Sequence, residues 1–249
     1  MDNTILKIKN LSKIYHDING ETLAINNLNL DIKDKEIIAI VGPSGCGKST
    51  LLSILAGLEN KSSGEILFNG KQKLGYMLQT DSLFPWRTIF DNCCLGLEIN
   101  HTNTKENKDK VLNLLKKYGL FEFKDKYPNN LSGGMKQRVA LIRTLATNPD
   151  ILLLDEPYSA LDYQTRLALS DDLYKIIKQE GKTVILITHD LAEAISLASR
   201  IIVLTKRPCQ VKKIYNVKLD KQSCPTENRK DSKFNEYYDK IWRDLDVNL

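Results

Sequence analysis

Hydrophobic positions recur in two different ways along this chain. Near its start they alternate: Leu6 and Ile8, then Leu28, Leu30 and Ile32, follow the period of two that half-buried antiparallel strands require, and residues 64–68 extend it. Further on, residues 37–41, 151–154, 184–187 and 201–204 are continuous apolar runs, which predict strands buried on both faces. Between two of them, over 162–180, Leu167, Leu169, Leu173, Ile176 and Ile177 fall near helical spacing, and Gly181 supplies the stop. Strands and helices alternating in this manner predict an α/β domain with a mainly parallel sheet, preceded by an antiparallel β-subdomain.

From about residue 83 to 148 no strand-like run occurs, and Val111, Leu112, Leu114, Leu115 and Leu120 read as short helices. This stretch is expected to be an all-helical insertion, about 80–148, in a domain spanning 1–215. The polar tract 101–110 reads as a solvated loop and helix start, and 225–233 as a linker. Beyond it Phe234, Tyr238, Ile241, Trp242 and Leu245 recur on one face of an amphipathic helix, expected to pack on its own domain. The segment 216–249 is thus read as a C-terminal linker and amphipathic helix.

Composition adds exclusions. The 249 residues suit one large domain or two small ones, and a net charge of +5 with 27% charged residues is ordinary for a soluble protein. Residues 206–249 hold 11 basic and 7 acidic side chains, so +4 of that surplus is C-terminal. Without Arg clusters interleaved with aromatics, nucleic acid is not an expected partner. The cysteines at 46, 93, 94, 209 and 224 are odd in number and follow no framework spacing, and no signal-peptide pattern precedes them. A reducing cytoplasm is expected, and because no apolar run approaches the roughly 20 residues of a bilayer span, any membrane role needs a separate chain.

The candidate chemistry begins at Gly42-Pro43-Ser44-Gly45-Cys46-Gly47-Lys48-Ser49, which fits G-x-x-x-x-G-K-[ST] between a predicted strand and a helix over 50–58. Glycines let the backbone curl so that N–H groups face an anion, Lys48 reaches the phosphates, and Ser49 is placed to ligate Mg²⁺. The apolar run 151–154 ends in Asp155 and Glu156 at the sheet edge where open α/β sheets hold ligands. There Asp155 would hold the metal and Glu156 would act as general base on the attacking water. His189 closes another predicted strand at the equivalent edge, within reach of a γ-phosphate, whereas His16 and His101 have surface contexts. A second helix start, at Ser132-Gly133-Gly134, offers N–H groups to another anion. Two phosphate-binding helix starts in different subdomains are economically explained if they meet across a dimer, each nucleotide lying between the loop of one subunit and the Ser-Gly-Gly of the other.

In order along the chain, Tyr15, the loop 42–49, Gln79, the signature 131–137, the strand 151–156, Ser159-Ala160-Leu161-Asp162 and His189 resemble the nucleotide-binding subunit of an ABC transporter. The resemblance implies a P-loop NTPase (RecA-like) core and an ATPase that binds ATP and Mg²⁺. It also implies Tyr15 stacking on adenine, Thr50 completing the nucleotide-binding run, Gln79 contacting Mg²⁺ and sensing the γ-phosphate, and Asp162 contacting the opposite subunit. Implied partners are a membrane permease, a second ATP-binding subunit and, indirectly, a solute-binding protein, with the chain peripheral on the cytoplasmic side of the membrane. Residues 83–88, with Asp91-Asn92 and Gly96-Leu97-Glu98, are similar to importers of the nitrate, sulfonate and taurine type, in which Phe84, Pro85 and Trp86 would lie near the cleft for the permease. Lys35, Tyr158, Thr144 and a short 70–75 stretch depart from the family pattern. The rival readings are a soluble ATPase of the same family acting on nucleic acid or ribosomes, and a P-loop GTPase or small-molecule kinase. The second leaves the Ser-Gly-Gly helix start and His189 unexplained.

Overall fold

The computed structural model describes residues 3–18, 20–158, 161–220 and 223–245. Its N-terminal strands β1 (Thr4–Asp17) and β2 (Gly20–Lys33) pair antiparallel and bury Leu6, Ile8, Leu11, Leu28, Leu30 and Ile32, as their alternation requires. Next in chain order are β3 (Ile37–Val41), α1 (Lys48–Leu55) and β4 (Ser63–Phe68), of which β4 adds to the free edge of β1. The pairing is tight at Gly64, where a Cβ would lie 2.4 Å from the Asn10 carbonyl oxygen, so only glycine fits.

The second sheet continues with β5 (Leu74–Met77), β6 (Ile151–Asp155), β7 (Thr183–Ile187), β8 (Arg200–Leu204) and β9 (Val211–Asn216), in the order β5-β6-β7-β3-β8-β9. All neighbours are parallel except β8 and β9. Successive residues of the apolar strands point to opposite faces. Ile38, Ile40, Leu153, Ile185, Ile187 and Ile202 join α1 and the antiparallel sheet, while Ala39, Val41, Leu152, Leu154, Val184, Leu186 and Val203 join the helices opposite. Every apolar run read as a two-faced strand is one. Strands β5 and β9 were not anticipated: β5 is short and carries Gly75 against Pro149, and β9 is an edge strand exposing Lys212 and Lys213.

Helices α2 (Ile89–Ile99), α3 (Lys105–Lys117) and α4 (Gly133–Ala146) form the arm between β5 and β6, capped by Thr88, Thr104 and Ser132. On the face of the sheet away from α1 lie α5 (Tyr163–Glu180), capped by Asp162 and ended by left-handed Gly181, and α6 (Leu191–Leu197). The tract read as a linker instead carries a short helix, α7 (Pro225–Asn228). Buried Asn228 donates to the Ser196 carbonyl at 2.8 Å, and the Thr226 amide donates to Asp171 at 2.9 Å. Polar anchoring of that kind leaves no apolar pattern to read. The amphipathic helix does form, as α8 (Phe234–Asp244), burying Phe234 and Ile241 against the same core as α6.

Candidate functional site

Strand β3 feeds the loop 42–47 at the C-terminal edge of the sheet, and α1 begins at Lys48, two residues earlier than its pattern suggested. Gly45 and Gly47 adopt φ of 69° and 125°, and a Cβ on Gly47 would meet the Ala24 carbonyl at 3.1 Å. No side chain caps α1, so its first N–H groups stay available to an anion. Buried Lys48 points its Nζ back into the loop, donating to the carbonyls of Gly42 at 2.8 Å and Pro43 at 2.9 Å. The Cys46 thiol is buried beside that of Cys209, whose hydrogen bond pulls the Cys46 thiol below the ordinary thiol range.

Ser44, Gly45, Gly47, Lys48, Ser49 and Thr50 line an open cleft of about 310 Å³ together with Gln79, Glu156 and Arg207. Tyr15 stands beside it: its hydroxyl donates to that of Thr50 at 3.4 Å, and the Lys13 ammonium lies 4.6 Å from its ring centroid. Asp155, at the end of β6, is 4% exposed. Burial pushes its carboxyl above the ordinary range, the Ser49 hydroxyl opposes that by hydrogen bonding, and Oδ1 is buried with no hydrogen-bond partner. An orphaned carboxylate oxygen beside a serine hydroxyl fits a hard cation. Among the described residues no group of three or more His, Cys, Asp and Glu could hold a metal. A cation here would therefore complete its shell with oxygens of a ligand and water.

Glu156 takes φ of 47°, a left-handed conformation that costs a non-glycine residue about 1–3 kcal/mol. Its amide donates to the Ile187 carbonyl at 2.9 Å, and its Oε2 accepts from Gln79 Nε2 at 3.0 Å and lies 3.2 Å from His189 Nδ1. Side chains from two other segments thus converge on one carboxylate oxygen of Glu156. The turn carrying His189 is fixed from behind. Asp190 caps α6 and pairs with Arg166 at 2.9 Å, and buried Glu193 accepts from the Thr188 hydroxyl. Burial pushes the Glu193 carboxyl up to about 7.

The second helix start is built differently. Ser132 Oγ accepts from the Met135 amide at 3.3 Å, and a Cβ on Gly134 would lie 2.8 Å from Leu161 Cδ2. Ser132, Gly133 and Gly134 do not line the cleft of their own chain. Ser159 and Ala160 lie outside the described residues, and Asp162 accepts from the Thr165 amide at 3.0 Å as the cap of α5. In the arm, Trp86 is 72% exposed and stacked on Phe84 with centroids 5.1 Å apart. Buried Asn92 holds their loop through the backbone of Phe84, Arg87 and Thr88. Sequence reasoning noted Asn92 only as part of the importer resemblance, without its bracing of the Phe84 loop, and missed Glu193 and Arg207. Only Arg207 left a usable signal, a basic residue just past a strand at the ligand-binding edge.

The ABC transporter family model matches residues 25–159, a stretch running from β2 through the loop and the arm to just past β6. The chain belongs to the ABC transporter family. This cassette is 41% identical to an ABC transporter ATP-binding protein of Bacillus subtilis over 249 residues, covering 97% of this chain and 96% of the relative. It is 42% identical to a taurine import ATP-binding protein of Roseobacter denitrificans, covering 86% of this chain and 82% of that one. With a nitrate import ATP-binding protein of Synechocystis it shares 37% identity, over 95% and 93% of the two chains. A solved ATP-binding cassette, dimeric in a post-hydrolysis state and bound to ADP and Pi, superposes with a TM-score of 0.78 at 35% identity, covering 86% of this chain and 99% of that one. As an ABC ATP-binding subunit, this chain is an ATPase.

Proposed function

We propose that the chain is the ATP-hydrolysing subunit of an importer for a small solute of the nitrate, sulfonate or taurine kind, working as a homodimer on a separate permease. A solute-binding protein would deliver the solute outside, and the cassette would sit peripherally on the cytoplasmic side of the membrane. Among the described residues no helix is long and apolar enough to cross a membrane, in keeping with a permease on another chain. Residues 1–215 would form the ATPase domain, with 216–249 an appendage to it.

The observation that carries this reading is the Glu156 carboxylate, held between Gln79 and His189 beside the phosphate-binding loop. Glu156 would accept the proton of the attacking water, and His189, 3.2 Å from it, would orient that water toward the γ-phosphate. Gln79 bonds the same oxygen and belongs to the segment leading into the arm, so its position would couple the cleft to the arm. Tyr15 would stack on adenine. Gly42, Pro43, Ser44, Gly45, Cys46, Gly47, Ser49 and Thr50 would wrap the phosphates with Lys48 as cation. Ser49, Gln79 and Asp155 would hold Mg²⁺, which supplies charge neutralisation on the phosphates. Ser132, Gly133 and Gly134 of a second copy would close the nucleotide from the other side.

The test is Glu156→Gln. General-base help is worth about 10²–10⁴-fold, or about 2.7–5.5 kcal/mol, so turnover should fall by that factor while ATP affinity holds. Dimer should then accumulate on a sizing column when ATP is added. Turnover like that of the unaltered protein would overturn the assignment.

A further inference from the structure

The connection between β8 and β9 reaches the phosphate-binding loop from two directions. Its turn is closed by Thr205, whose hydroxyl donates to the Pro208 carbonyl at 2.9 Å and accepts from the Gln210 amide at 3.0 Å. It is anchored beneath the loop by Cys209, fully buried, whose amide donates to Ala24 at 2.9 Å and whose carbonyl accepts from Asn26 at 3.0 Å. From this fixed turn Arg207 extends over the rim of the loop, and its Nη2 donates to the Gly45 carbonyl at 2.7 Å. Its guanidinium lines the same cleft as Lys48, Ser49, Gln79 and Glu156, and no carboxylate among the described residues pairs with it.

We propose that Arg207 is a nucleotide-binding residue, the second protein cation on the triphosphate of ATP. The inference rests on the nucleotide-binding reading above and extends it to a residue outside the loop. One N–H of the guanidinium satisfies the Gly45 carbonyl and fixes that peptide. A guanidinium has five donors in a planar fork, so others remain to bond phosphate oxygens. Lys48 and Arg207 divide the work by position. Lys48 is buried inside the loop and must exchange two carbonyls for phosphate, whereas Arg207 sits exposed at the rim with its charge already presented. A cation at the rim favours the more highly charged nucleotide, so Arg207 should contribute more to ATP than to ADP binding.

The experiment measures Kd for Mg-ATP and Mg-ADP by calorimetry in the Glu156→Gln background, which prevents turnover, for Arg207→Ala, Arg207→Gln and Arg207→Lys. Arg207→Gln retains a donor for Gly45 without charge. Expected is an ATP Kd raised about ten-fold or more in the Ala and Gln variants, a clearly smaller change for ADP, and partial recovery in Arg207→Lys. Unchanged ATP affinity overturns the inference. So does an equal loss for ATP and ADP in Arg207→Ala that Arg207→Gln repairs, because that pattern belongs to a clip on the Gly45 peptide. Loss of ATP-driven dimer with intact affinity also overturns it, by assigning the side chain to the subunit interface. Lys48→Ala in the same series separates the two levels. If Lys48→Ala loses ATP while the Arg207 variants keep it, only this inference fails; if Lys48→Ala binds ATP normally, the nucleotide-binding reading fails with it.

Discussion

The sheet edge around Glu156 and the helix start at Ser132 are the two regions proposed to meet phosphate, and their polar groups are satisfied in opposite ways. At the sheet edge, side chains hold one another: Gln79 and His189 converge on Glu156, and Thr188, Asp190, Arg166 and Glu193 brace the turn beneath. At the helix start Ser132 caps its own backbone, and Gly134 serves the close approach of Leu161. One region is assembled by long-range contacts within the chain. The other is finished locally and stands apart from its own chain's cleft, as half of a site shared between copies would.

The strongest way to break that comparison is to poison each half in different subunits. Lys48→Ala and Ser132→Arg homodimers should each lose at least about 100-fold in turnover, since each spoils both shared sites. Mixed at equal amounts, half the dimers pair one of each and regain one sound site, so about a quarter of normal turnover should return. Absence of recovery in an ATPase assay of the mixture would mean that each chain completes its own site.

A smaller effect should distinguish the braced edge. The folded chain keeps Glu193 protonated up to about 7, while the unfolded chain releases that proton near 4.5. The folded state therefore binds more protons between these values, and stability falls as pH rises through this window, by about 3 kcal/mol from this group. Glu193→Gln should remove that dependence, so its denaturation midpoint, compared with the parent's, should improve from pH 5 to about 7 and level off from there to pH 8. A constant difference across that range would contradict the burial argument. Smallest of all, Ser132→Ala should cost about 1 kcal/mol of stability through loss of its cap. That cost should show no pH dependence in chemical denaturation, because no ionisable group takes part.

How far the sequence could be read follows from the same contrast. Two-faced strands declared themselves because burial on both sides demands unbroken apolar runs, as at 151–154 and 184–187. Strand β5 escaped because Gly75 is there to admit Pro149, a packing reason that leaves no periodicity. The tract 225–233 read as linker because Asn228 is anchored through hydrogen bonds to Ser196 and Ser223, not through apolar contact. In the site, Lys48, Ser49, Asp155, Glu156 and Ser132 were picked out from residues beside them in the chain. Glu193 was not, since buried charge is a property of packing, and Arg207 showed only as a basic residue just past a strand, its contact with the rim being decided by packing.

By itself the sequence determined the phosphate-binding loop, the carboxylates after β6 and the capped start of α4, because glycine freedom, strand burial and capping act over a few residues. Only the tertiary structure decided which side chains share one oxygen. Gln79 is 77 residues from Glu156, and Arg207 is 162 from Gly45. Such meetings depend on the order in which parallel strands are laid beside one another, which brings the ends of β5, β6, β7, β3 and β8 to a single edge.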